Sequence, residues 1–109
     1  MIIVIHSKIG DETLEKIGED VPGYTKVVVD IKREILAAGG KVHTEVEKTM
    51  LRIGSKPADL WGGGIDLKTG KIDFDAPMNK KPQQVNDSRE VLDPVVRQKM
   101  EKIIRNLIK

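Results

Sequence analysis

The segment Ile65-Asp66-Leu67-Lys68-Thr69-Gly70-Lys71-Ile72-Asp73-Phe74-Asp75 constrains the fold more than any other stretch of this chain. Two alternating runs flank a short turn containing Thr-Gly, which is the pattern of a β-hairpin. Successive strand residues point to opposite faces, so Ile72 and Phe74 are expected to face a core and Asp73 and Asp75 water. Ala76-Pro77 ends the second strand.

Other segments supply what the hairpin packs with. Met1–Ile5 is an apolar, β-branched run that reads as a buried strand, followed by a His6–Gly10 loop. Asp11 and Glu12 open a short helix carrying Leu14 and Ile17, closed near Gly18. Val21-Pro22-Gly23 is a turn. Asp93-Pro94 starts the last helix, with Asp as N-cap and Pro at its favoured first position. Over 94–108, Val96, Met100, Ile103, Ile104 and Leu107 form an apolar stripe, with Arg97, Lys99, Glu101 and Arg105 off it.

Two segments read either way. Val27-Val28-Val29 suggests a strand, yet over Lys26–Ala38 the residues Val28, Ile31, Ile35 and Ala38 share one helical stripe. That period favours a helix ended by Gly39-Gly40. Over 44–53, Thr44-Glu45-Val46-Glu47 matches a capping box, and Val46, Met50 and Ile53 repeat at helical spacing. A strand through Val42, Thr44 and Val46 is the rival.

A chain of 109 residues is one domain, 1–109. The expected fold is α+β: a sheet containing the N-terminal strand and the hairpin, packed against two to four helices including a C-terminal amphipathic one. Tyr24, Trp61 and Phe74 are the sole aromatics, so the core must come from Ile, Val, Leu and Met. Nineteen basic and 17 acidic residues give a net charge of +2, which argues against a nucleic-acid binder. The absence of cysteine excludes disulfides and thiolate metal sites. With no apolar run long enough for a signal peptide or a membrane span, the expected location is cytoplasmic.

Four places carry groups suited to chemistry. His43 with Glu47 at i, i+4, and Glu45 nearby, offers an imidazole–carboxylate pair for acid–base work, set against a surface histidine near a cap. His6-Ser7-Lys8 follows the first strand, where open α/β sheets place ligands, and otherwise is a plain connection. Lys56, Asp59 and Trp61 surround a glycine-rich turn, with the indole either a pocket wall or the largest core anchor, Ser55 capping a single helical turn. The polar loop from Asn79 to Arg89 presents Lys80, Lys81, Gln84, Asn86 and Arg89, suited to anion contacts or simply solvated. Walker, dinucleotide and nucleophile-elbow sequences are absent, and neither a cofactor nor a metal is expected.

Taken together, Gly39-Gly40-Lys41-Val42-His43, Gly54-Ser55-Lys56, Asp59-Leu60-Trp61-Gly62, and Asn79 with Lys81-Pro82, Gln84, Asn86 and Ser88 resemble a domain-of-unknown-function family of short prokaryotic proteins. The resemblance carries no activity. It directs attention to His43, Trp61, Asn79 and Asn86, and it marks two departures. Gly64 stands where that family commonly has Asn, and Lys81 where Arg is usual.

The leading expectation is a non-catalytic binding or interaction domain that self-associates as a homodimer. Its recognition surface would combine the Trp61 turn and the 79–89 loop, built from His43, Lys56, Asp59, Trp61, Asn79, Lys81, Gln84 and Asn86. A small anionic ligand or a protein is the expected partner. The alternatives are a small enzyme using His43 with Glu45 or Glu47, and a weak nucleic-acid binder through Lys80, Lys81 and Arg89.

Overall fold

In the computed structural model, which describes residues 1–109, five strands form one antiparallel sheet ordered β1-β3-β2-β4-β5. The strands are β1 (Ile2–Ile5), β2 (Tyr24–Asp30), β3 (Ile35–Gly39), β4 (Leu60–Asp66) and β5 (Ile72–Asp73). Three helices complete the fold: α1 (Asp11–Ile17), α2 (His43–Arg52) and α3 (Pro94–Leu107). The architecture is α+β, as expected.

Both sheet faces are covered. Val27, Val29, Leu36, Ala38, Trp61 and Ile65 meet α1 and α3 through Ile17, Met100, Ile103, Ile104 and Leu107. On the opposite face Val28, Ala37 and Leu60 meet Val46 and Met50 of α2. A strand buried on both faces has no need of alternation, and Val27-Val28-Val29 is therefore continuous and fully buried.

Lys26–Ala38, expected as a helix, is instead two strands around a tight turn. Asp30 causes the reversal. Its carboxylate accepts from the backbone N–H groups of Lys32 and Arg33, both at 3.0 Å, an arrangement that competes directly with helix formation. Arg33 Nε at 2.9 Å and Ser55 Oγ at 2.7 Å complete its coordination, so Asp30 is ionised although almost wholly buried. Burial alone raises its pKa; the Arg33 N–H, Ser55 hydroxyl, Arg33 guanidinium and Lys32 N–H outweigh that and hold it below the usual carboxylate range. Ser55 is thus spent on Asp30, and the short turn Pro57–Asp59 has Lys56 as its N-cap with no side-chain bond.

The 44–53 segment is helical, but it starts one residue earlier and without the expected capping box: Val42 is the N-cap and no side chain caps it. Gly39 and Gly40 have φ of +98° and +77°, which lets the chain turn from β3 into α2 at low cost. The expected hairpin and last helix are present. Asp93 caps α3 by accepting from Val95 N–H at 2.8 Å. No helix is long and apolar enough to cross a membrane.

Candidate functional site

Gly62-Gly63-Gly64, expected to form a turn, lies inside β4 and pairs with Val28, Val27 and Lys26 of β2. Side chains are excluded there by three different neighbours. A Cβ on Gly62 would strike Ala76 and Met78, one on Gly63 the backbone carbonyl of Asp73, and one on Gly64 the Tyr24 hydroxyl. The space beside Gly64 is therefore filled by the Tyr24 phenol of the neighbouring strand. Tyr24 Oη donates to Asp73 at 2.7 Å, so Asp73 faces a partner and not open water. Burial first, then that carboxylate, raises the phenol's pKa.

Asn79 is fully buried and completes β4 where β5 ends. Its Oδ1 accepts from Gly62 N–H at 2.8 Å, and its Nδ2 donates to the carbonyls of Gly62, Phe74 and Arg89 at 2.9–3.1 Å. One side-chain amide thereby replaces a neighbouring strand. Asn86 repeats the device, donating to the carbonyls of Asn79, Ser88 and Glu90 and accepting from Leu92 N–H. The 79–89 loop is polar because these two amides hold it together from within.

Trp61 is 3% exposed, on the α3 side of β4. It is both an anchor and a wall. Lys81 lies over the indole with Nζ 5.1 Å from the ring centre and donates to Pro57 O at 2.9 Å. Desolvation lowers the Lys81 pKa, and Glu47 partly offsets this. Trp61 also lines a cleft of about 290 Å³ with Gln84, Val85, Asn86, Leu92, Asp93 and Val96. Its Nε1 is the one fully buried side-chain polar atom without a hydrogen-bond partner. Beside it, Val85 is held at φ 57°, a left-handed conformation costly for a β-branched residue, and its side chain is 89% exposed.

The expected site residues divide into three groups. Trp61, Gln84 and Asn86 converge on the cleft, with Asn79 and Lys81 packed behind it. Lys56 and Asp59 lie outside it, on the turn preceding β4; Lys56 is exposed. His43 lies against the opposite face, donating from Nε2 to Gly63 O at 2.7 Å, with no hydrogen bond to Glu45 or Glu47. No three His, Cys, Asp or Glu residues cluster to hold a metal. The basic loop residues do not form a common patch: Lys81 is buried, and Arg89 pairs with Asp75 at 3.1 Å. His6 and Lys8 are exposed, and in an antiparallel sheet the ligand rule for parallel strand ends has no application.

Sequence reading missed Val85, Leu92 and Val96. The signal was present: Val85 is the one aliphatic residue between Pro82 and Glu90. A wider, more open depression of about 370 Å³ lies between α1 and the Gly23 and Leu67 turns, but no unpaired buried group adjoins it.

The cleft and its locked loop thus belong to a small antiparallel α+β domain. The chain matches the model of a protein family of unknown function, DUF5674, over residues 3–107, and it belongs to that family. No curated protein and no solved structure matches it.

His43 supplies a pH prediction. Burial lowers its pKa from the usual 6.5, Gly63 O opposes this, and Lys26 adds to it. The folded protein thus binds fewer protons than the unfolded chain. The stability present above about pH 6.5 declines as pH falls through the interval down to the folded value. Urea unfolding at pH 7.5 and pH 5 should show the loss, and His43→Gln should reduce the pH dependence. An NMR titration placing His43 at or above 6.5 would contradict it.

Proposed function

We propose that this protein is a non-catalytic interaction module whose recognition site is the Trp61 cleft. The observation that carries this reading is the Trp61 indole N–H, buried without an acceptor on a side chain that lines a cleft. A buried, unpaired donor costs roughly 1–3 kcal/mol. The strained Val85 turn beside it adds roughly 1–3 kcal/mol. Opening of that turn onto an occupant with a carbonyl oxygen would relieve both.

The occupant is an apolar segment of a protein partner. At about 290 Å³ the cleft is at the lower limit for a whole small-molecule ligand, and it suits one anchor side chain. Exposed Val85, Leu92 and Val95 extend the apolar rim. An anion is disfavoured because Asp93 contributes a carboxylate to the cleft and Lys81 is already engaged by Pro57 and the indole.

Trp61 is the only tryptophan, so its indole N–H gives a single, unambiguous NMR resonance. N-acetyl-leucinamide is expected to shift that resonance saturably, while N-acetylglycinamide leaves it in place. Leu92→Asp should abolish the response without unfolding the protein. An indole resonance indifferent to both amides would overturn the proposal.

A further inference from the structure

The sheet has one edge with no neighbour. β1 is a terminal strand bonded only to β3, and its residues Ile2-Ile3-Val4-Ile5 carry no charge and no proline. Those are the devices that keep sheet edges apart. Ile2, Ile3 and Val4 are only half-buried, whereas Val27, Val28 and Val29 of the central β2 are wholly covered. The opposite edge is blunted. β5 has two residues, and the chain after it is taken up by 89–91, with Val91 N–H donating to Phe74 O and Ala76 N–H to Arg89 O, both at 3.0 Å.

A charged stripe of α2, which packs over β2 and β3, faces toward the free edge across a groove floored by Ile2. Glu45, Lys48, Thr49 and Arg52 share one helical face and, with Ile2, line a groove of about 360 Å³. Glu45, Lys48 and Arg52 are exposed, and none takes part in an ion pair.

We propose that β1 pairs antiparallel with β1 of a second copy of this chain, joining two five-stranded sheets into one across a two-fold axis. The order of charges along the groove identifies the occupant. A register centred on Ile3 or Val4 keeps α2 of both copies on the same face and runs them in opposite directions. Glu45 of each copy then lies opposite Arg52 of the other. Like-facing residues also meet like: Ile2 and Val4 continue the α2-side core across the junction, while Ile3 and Ile5 continue the core on the α3 side. This assembly is independent of the Trp61 cleft, which lies at the far end of the strand order beside the 84–96 segment.

Sedimentation velocity across micromolar concentrations tests it, with hydrogen exchange at β1. A monomer–dimer equilibrium is expected, with slowed exchange in Ile2–Ile5 on dimerisation. Glu45→Arg and Arg52→Glu each set like charges against each other twice per dimer, and each should weaken association about tenfold. The double reversal should restore it. Both residues are exposed, so the fold is retained. A monomer throughout, a dimer indifferent to both reversals, a double variant as weak as the singles, or unprotected β1 amides in the dimer would overturn the proposal.

Discussion

Replacing Asn79 by Ala is expected to destabilise the protein by about 3–5 kcal/mol, a large part of the roughly 5–15 kcal/mol typical of a domain. The truncation removes both an acceptor and a donor. Gly62 N–H and Gly62 O would face the void with no strand beside them, and the carbonyls of Phe74 and Arg89 lose the same amide. The residue is fully buried, so water cannot readily take its place. Asn79→Asp should be at least as damaging at neutral pH, since it keeps the acceptor but turns a carboxylate toward three carbonyl oxygens. Thermal unfolding should register a fall in Tm of roughly 15 °C for Asn79→Ala. A change smaller than about 1 kcal/mol would show that the amide does not stand in for a strand.

The second large effect is expected at Gly63. A methyl group there would meet the Asp73 carbonyl and then the Asp73 and Phe74 backbone, which cannot move without parting β5 from β4. Gly63→Ala should cost about 3 kcal/mol or more. Gly64→Ala gives the informative contrast. Its obstacle is a side chain, the Tyr24 phenol, which can swing out once its bond to Asp73 is given up. Combining Gly64→Ala with Tyr24→Ala should recover part of the loss beyond the sum of the two single effects, while no such partner exists for Gly63→Ala. Urea denaturation of the set provides the comparison, and equal behaviour at both glycines would contradict this account.

These two sites mark where sequence legibility ends. The hairpin and α3 were readable because each obeys a local rule: alternation around a Thr-Gly turn, and an apolar stripe behind an Asp-Pro start. The 26–38 segment was not, because β2 is buried on both faces and the Asp30 turn brought Val28, Ile31, Ile35 and Ala38 into a helical period by coincidence. Strand glycines were read as a turn because their cause is non-local: Tyr24, Met78 and Asp73 lie far from them in the chain or across a strand.

The site was legible in part. Trp61, Gln84 and Asn86 do meet at one cleft, but amides read as ligand contacts are spent on the backbone. A sequence displays the polarity of Asn79 and Asn86 and does not display where their bonds go. His43 approaches the glycine strand from one face and Trp61 projects from its other face, a separation that only the strand pairing reveals.

The blunted edge at β5 sets a limit on growth. A sheet that could add strands at both ends would be a bivalent monomer, and bivalent monomers polymerise. Here the segment 89–91 occupies the flank of 74–76, and the amide of Asn79 fills the last gap beside β4. For the proposed β1 pairing the molecule is left with a valence of one. Copies joined in that way would close into pairs without seeding a fibre.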